Sequence, residues 1–396
     1  MPLSSIELDT AYSLKSSHSI NVSSGARISQ ATFQPLKPCN EDRTVFVERG
    51  GLGFIVGVFD GHYTQELSDY ASRTLPKLLL DRIADATATP GTDFSDAVTT
   101  SLVEGIKDFD ASLLQNLLSH FPGVDKPEWW LEPRWDDRAE MYKCIGYSNE
   151  DSRFREARRA VVGSTLLIAF VDEGRKHVWV ASLGDSEAAV GNVNRDGSID
   201  NLNRLSDFHN ARNPDEVARL QREHPNEPFI RGNRVLGALG VTRALGDYLL
   251  KVPFTLSLRI LTWIYRSPIP PFELDKLNKE FKTPPYLSSS ATVHHRPLHE
   301  GDVLVLFSDG LADRLASFDE TEKHSLVLSL ANADRVPMAN ETTWAETFGH
   351  DFILPEPEDC PAERVIKNIC FGTSLEKKTE VVLKEWDDIS VVVVQF

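Results

Sequence analysis

Five times in this chain an apolar run meets an acidic residue at its end. Phe54 to Phe59 is apolar or glycine throughout and stops on Asp60-Gly61-His62, and Val303 to Phe307 runs into Ser308-Asp309-Gly310. Val178 to Leu183 ends at Gly184-Asp185-Ser186. The order is reversed where Asp387-Asp388 opens Ile389 to Val394, and where Asn40-Glu41-Asp42 precedes Thr44 to Glu48. Short continuous apolar runs of this kind read as buried strands. A buried strand that stops on a carboxylate carries it to the rim of a core on a rigid support. One such case is a strand and a polar turn. Five, spread from residue 41 to residue 388, point to carboxylates gathered at one place. Gathered carboxylates repel unless cations lie among them. Oxygen donors with no accompanying cysteine suit magnesium or manganese.

Gly61 lets backbone approach a ligand closely, and His62 can hold or release a proton near neutral pH. Two cations bridged by Asp60 would lower the pKa of a water and neutralise a phosphoryl group under attack. Phosphate-ester hydrolysis needs both, and His62 is placed to protonate the departing alkoxide. Other routes lack their residues. No cysteine is followed six residues later by arginine, and no P-loop, zinc-protease helix or nucleophile elbow is present.

The charge balance narrows the partners. With 42 basic and 59 acidic residues the net charge is −17, which argues against nucleic acid or an anionic membrane as the main partner. No apolar run approaches membrane-spanning length. Cys39, Cys144, Cys360 and Cys370 are far apart without zinc spacing, as expected of reduced thiols in an intracellular protein.

Along the chain, residues 1–24 are serine-rich and aperiodic and are expected to form a flexible arm. A hairpin follows, with strands near Thr44–Glu48 and Phe54–Phe59. A helical pattern runs from Leu67 to Leu79, with Pro76 expected to bend or interrupt it. Val98, Leu102, Ile106, Phe109, Leu113 and Leu117 mark an amphipathic helix over about Ser95–Leu118. Residues 121–160 read as an irregular crossing segment with a short helix near Arg153–Arg159. Strands resume at Ser164–Val171, Lys176–Leu183 and Glu187–Val193. The Asn192–Asp200 stretch resembles half a calcium loop but has Asn203 where the closing acid belongs, so a hairpin turn is expected. Asp215–Glu223 reads as a helix and Asn233–Leu245 as a buried segment. The apolar and proline-rich stretch at about 248–290 reads as an insertion. The last third gives the strand Asp302–Phe307, a helix over Glu320–Ala331, a polar loop to about Pro361, a helix over Glu363–Phe371 and the strand Ile389–Gln395. For acidic strand ends from 41 to 388 to share one site, the two ends of the chain must meet, so residues 25–396 are expected to form a single domain.

These residues carry a resemblance. Asn40-Glu41-Asp42, Val58-Phe59-Asp60-Gly61-His62, Gly163-Ser164-Thr165, Gly184-Asp185-Ser186, Thr242 to Asp247, Ser308-Asp309-Gly310 and Asp387-Asp388-Ile389-Ser390 resemble, in order, the motifs of the metal-dependent Ser/Thr phosphatases, the PPM or type 2C family. The resemblance implies an α+β fold, a central β-sandwich of two antiparallel sheets flanked by helices. It implies two Mg2+ or Mn2+ ions and a third, weaker one. Asp60 would bridge the two metals, Gly61 would give a carbonyl, Asp309 and Asp387 would ligate directly, and Glu41 and Asp42 would act through waters. His62 would be the general acid, and Asp185 with Asp313 would form the third site. The partner implied is a phosphoprotein.

Asn40 to Arg43, His209-Asn210-Ala211 with Glu216, Arg219 and Leu220, and Thr283 to Leu287 further resemble the pyruvate dehydrogenase phosphatase branch. That branch points to pyruvate dehydrogenase or a related mitochondrial phosphoprotein. The N-terminus, with Glu7, Asp9 and no arginine before Arg27, points instead to the cytosol. Three positions depart from the family pattern. Lys37 stands at the phosphate-binding position where arginine is common, a point charge without the bidentate fork. Glu187 follows Gly-Asp-Ser where arginine is usual, and Phe208 precedes His209 where aspartate is common. The competing expectation is a pseudophosphatase, the same fold used as a phosphoprotein-binding module. It would be favoured by a lost metal ligand, and none is lost.

Overall fold

In β4, Gly53–Phe59, every residue is buried, yet alternate side chains go to different places. Phe54, Val56 and Val58 face one apolar cluster, and Ile55 and Phe59 face another. β15, Asp302–Phe307, does the same, with Leu304 and Leu306 on one side and Val303, Val305 and Phe307 on the other. The period of two in a strand turns an unbroken apolar run into two buried faces. Such strands must sit in layers covered on both sides.

The structure is a computed structural model that describes residues 16–21, 25–34, 39–121, 123, 138–261, 264, 281–332, 340–356, 360–383 and 386–396. One sheet has the order β1-β2-β16-β15-β9-β10, with β1 Ser16–Asn21, β2 Arg27–Phe33, β9 Glu187–Val193, β10 Ile199–Arg204 and β16 Ile389–Gln395. The other has the order β14-β8-β7-β4-β3, with β3 Arg43–Arg49, β7 Leu166–Asp172, β8 His177–Leu183 and β14 Thr292–Pro297. Pairing within both sheets is antiparallel. Their inner faces meet in the cluster of Phe54, Val56, Leu167, Val180, Val190, Leu306 and Val392.

Helices α1, Glu66–Thr87, and α2, Phe94–Ser119, cover the outer face of the β4 sheet. Helices α3, Glu320–Ala331, and α4, Pro361–Cys370, cover the outer face of the β15 sheet. This is the expected sandwich flanked by helices. α2 starts where Asp93 caps the Asp96 amide at 3.0 Å, and α3 starts on an Asp319–Glu322 capping box. β2 pairs with β16 from Ile389↔Phe33 to Gln395↔Arg27, so strands from near both ends of the chain are neighbours.

Several expectations change. α1 continues through Pro76, because Leu75, Pro76, Leu79 and Leu80 are all buried and that packing outweighs one lost backbone bond. Ser16–Asn21, expected within a flexible arm, is a strand paired with β2. The loop expected before Pro361 contains a helix, Glu341–Phe348, which ends at Gly349 in a left-handed conformation. Asn233–Leu245 is buried only in part: Asn233 and Arg234 are exposed, and it is built of turns and two-residue strands. Within the 248–290 insertion, Leu256, Ile260 and Leu261 pack on the α1–α2 side, and Phe281, Tyr286 and Leu287 pack with Leu220 and Phe229. The Trp129, Trp130 and Trp135 stretch of the crossing segment lies outside the described residues. No helix among the described residues is long and apolar enough to cross a membrane.

Candidate metal centre and proton donor

Antiparallel pairing decides which strand ends meet. Arg43 at the start of β3 pairs with Phe59 at the end of β4, and Phe307 at the end of β15 pairs with Val391 near the start of β16. Phe307 also pairs with Glu187, which opens β9 just after Asp185. Asp42, Asp60, Asp185, Asp309 and Asp387 therefore leave their strands at one end of the sandwich. Strands that end there and strands that begin there contribute alike, which is why both orders of the acidic strand end occur.

Burial without counter-charge sets the electrostatics. Burial pushes the Asp42 carboxyl up to about 7, with Asp388 and Asp387 adding to the shift and the nearby Ser308 and Ser390 hydroxyls offsetting part of it. Neither Asp42 oxygen has a hydrogen-bond partner among the described residues. Burial, Asp309 and Asp42 push Asp60 well above the usual carboxylate range. Burial and Asp185 push Asp309 up likewise. Asp185 is pushed up to about 6 by burial, partly offset by Asn210, and its Oδ1 has no partner among the described residues. Orphaned, buried carboxylate oxygens in one place fit a hard divalent cation, which supplies the missing charge and takes oxygen ligands. Asp387 and Asp313 are exposed at the same place. Lys37 lies outside the described residues.

His62 sits in a second device. Gly61–His62 forms β5, which pairs with β6, Gly163–Ser164, which pairs with β13, Leu245–Gly246. This small sheet brings Asp247 against His62, whose Nε2–H donates to Asp247 Oδ2 at 2.7 Å. Burial lowers the His62 pKa, but the Asp247 carboxylate raises it further, so the net shift is upward.

A family model for protein phosphatase 2C matches residues 131–320. A protein phosphatase 2C homolog of Schizosaccharomyces pombe is 28% identical over 296 residues, 71% of this chain and 58% of that protein. The mitochondrial [pyruvate dehydrogenase [acetyl-transferring]]-phosphatase 2 of Homo sapiens is 31% identical over 255 residues, 62% of this chain and 46% of that protein. This chain is therefore similar to the protein phosphatase 2C family, the model match falling just short of half its length. Its matches span about half the length of these curated relatives. The crystal structure of a phosphatase from Toxoplasma gondii shares the fold, with a TM-score of 0.51 at 16% identity over 94% of this chain and 92% of that one.

The same end of the sandwich includes residues to which the sequence alone gave no role. Asp388 accepts the Glu41 amide at 2.5 Å and the Gln34 amide at 2.6 Å, fixing the loop that carries Glu41 and Asp42. Asp110 accepts from Gly246 N at 2.7 Å, the Tyr248 hydroxyl at 3.1 Å and Lys251 Nζ at 2.8 Å, holding the turn that bears Asp247. The signal was present: Asp110 interrupts the apolar stripe of α2 between Ile106 and Leu113, and an aspartate there needs a buried partner.

A groove of about 920 Å3 leads away from Asp185, Asp309, Asp313 and Asp387 between Arg204, Arg212, Arg234 and Arg243. Two departures from the family pattern form part of its wall. Lys323 is bonded to Glu187 and lies 5.3 Å from the centre of the Phe208 ring, and Arg204 stacks on that ring at 4.7 Å. Glu187, Glu320 and His324 bring ligand atoms within 4.8 Å of one another, but the Lys323 ammonium already supplies the cation there.

Proposed function

We propose that this chain is a metal-dependent protein Ser/Thr phosphatase acting on phosphoserine or phosphothreonine. The reading rests chiefly on the convergence of Asp42, Asp60, Asp185 and Asp309 at one end of the sandwich, each with its pKa raised by burial and by neighbouring carboxylates. Asp60, Asp309, Asp387 and the Gly61 carbonyl would hold two Mg2+ or Mn2+ ions. Glu41 and Asp42 would act through waters, and Asp185 with Asp313 would hold a third ion. When bound, such ions supply an activated water and neutralise phosphoryl charge. His62 gives a proton to the departing serine or threonine oxygen. Lys37 is proposed as a contact to the substrate phosphate on the strength of its sequence position alone. The groove between Arg204 and Arg243 takes the peptide.

Relatives named as mitochondrial pyruvate dehydrogenase phosphatases support a mitochondrial phosphoprotein of that kind as the substrate. The test is hydrolysis of a phosphothreonine peptide with Mn2+, with Mg2+ and with excess chelator. Turnover should require metal and be lost in Asp60→Asn. Folded protein inactive with every metal would instead indicate a phosphoprotein-binding module.

A further inference from the structure

The His62–Asp247 contact is built more carefully than a chance ion pair. Asp247 is 3% exposed at its side chain, and its backbone is left-handed at φ 50°, a conformation uncommon for a residue with a side chain. That conformation is held from two sides. The Asp247 amide donates to Val162 O at 3.1 Å, and the preceding Gly246 amide is gripped by Asp110 from α2. Gly163 completes the fit. A Cβ there would lie 1.9 Å from His62 Nε2 and 2.1 Å from Asp247 Oδ2, so no side chain at 163 is compatible with the pair. Asp110, Gly163, Gly246 and Asp247 come from distant parts of the chain, and all four serve one contact. His62 Nδ1 has no hydrogen-bond partner among the described residues.

We propose that Asp247 is a positioning residue that fixes the His62 ring through Nε2, so that Nδ1 is the nitrogen that delivers the proton. The assignment rests on the phosphatase reading above. As a water oxygen bonds to phosphorus and loses its proton to solvent, the P–O bond to the leaving group breaks. The departing oxygen keeps that electron pair and takes the proton from Nδ1. The Asp247 carboxylate stays ionised and holds the ring in place.

Leaving-group dependence separates this role from a structural one. A nitrophenolate leaves without help, whereas an alkoxide needs the proton. Wild type, Asp247→Asn, His62→Gln and the double variant would be compared on p-nitrophenyl phosphate and on a phosphothreonine peptide, at saturating Mn2+. The Asp247→Asn variant should lose kcat on the peptide by about 10- to 100-fold, with KM within about twofold. Its loss on the aryl phosphate should be at least about tenfold smaller. The double variant should lose no more than His62→Gln alone, because both changes remove one unit. Equal losses on the two substrates, or losses that multiply in the double variant, overturn the assignment while leaving the phosphatase reading intact. Wild type inactive on both substrates overturns that reading and this assignment together. Should Asp247→Asn fail to fold, 15N NMR of the wild type loaded with Mg2+ decides: the proton protected from exchange is expected on His62 Nε2, and one found on Nδ1 instead overturns the assignment.

Discussion

Carboxylates in or near one groove stand in two opposite conditions. Asp42 and Asp185 have orphaned oxygens, Asp60 is crowded by Asp309 and Asp42, Asp309 by Asp185, and all four have their pKa pushed up. Glu216 is buried too, yet Arg243 meets it at 2.5 Å, Arg219 at 2.8 Å and the Thr242 hydroxyl at 2.6 Å. Burial raises its pKa, but the two guanidiniums lower it further, so it lies well below the usual range. Glu187 is served likewise by Lys323 and His324. The fold thus supplies cations where a carboxylate only holds structure, and withholds them where four carboxylates meet. The withheld charge is what the proposed metal ions would supply.

The largest effect that would break this contrast is on turnover. Asp309→Asn should cut phosphopeptide hydrolysis on the order of 10³-fold or more, by removing both a ligand and its charge. The same change removes one of the repelling carboxylates, so the metal-free variant should melt no lower than metal-free wild type at pH 8. A variant that kept turnover would remove Asp309 from the centre. One that lost turnover and also melted lower without metal would show that Asp309 holds structure, as Glu216 does.

Glu216→Ala is the converse. It leaves Arg219 and Arg243 without their carboxylate in a mostly buried setting and should cost about 3 kcal/mol of stability, the lower end of such losses because both arginines keep some water contact. Urea unfolding reads this directly. A loss below about 1 kcal/mol would mean that the ion pairs are replaceable by solvent, and the contrast between the two sets would be one of degree.

What was legible in the sequence follows the same division. Asp60, Asp309, Asp185 and Asp387 could be found because each rides on the end of its own strand, a pattern written over a few neighbouring residues. Compensation could not be found that way. His62 and Asp247 are 185 positions apart, and only the small sheet of β5, β6 and β13 brings them together. Glu187 and Phe208 stood out as departures, but Lys323, which touches both, lies in a helix whose periodicity says nothing of that contact. Pro76 misled because propensity is local while the packing of Leu75 and Leu79 is not. The helix Glu341–Phe348 was missed because Trp344 is its one fully buried residue, too little to make a stripe.

The smallest effect concerns acidity without metal. A carboxyl raised in the folded chain binds protons that the unfolded chain has already lost. Between the ordinary carboxylate range near pH 4 and the raised value of about 7 for Asp42, the folded state therefore carries more protons. Stability then falls as pH rises through that window, the reverse of the slope that Glu216 contributes at more acidic pH. Chelated protein should accordingly melt a few degrees lower at pH 8 than at pH 5.5. Saturating Mn2+ should erase that difference, since binding to the folded state alone adds about 2.7 kcal/mol at 100 times Kd and needs the carboxylates ionised. Melting curves at four pH values, with and without metal, measure both slopes. If chelated protein melted higher at pH 8, the Asp42 and Asp185 charges would already be balanced within the fold, and the two sets of carboxylates would not differ in kind.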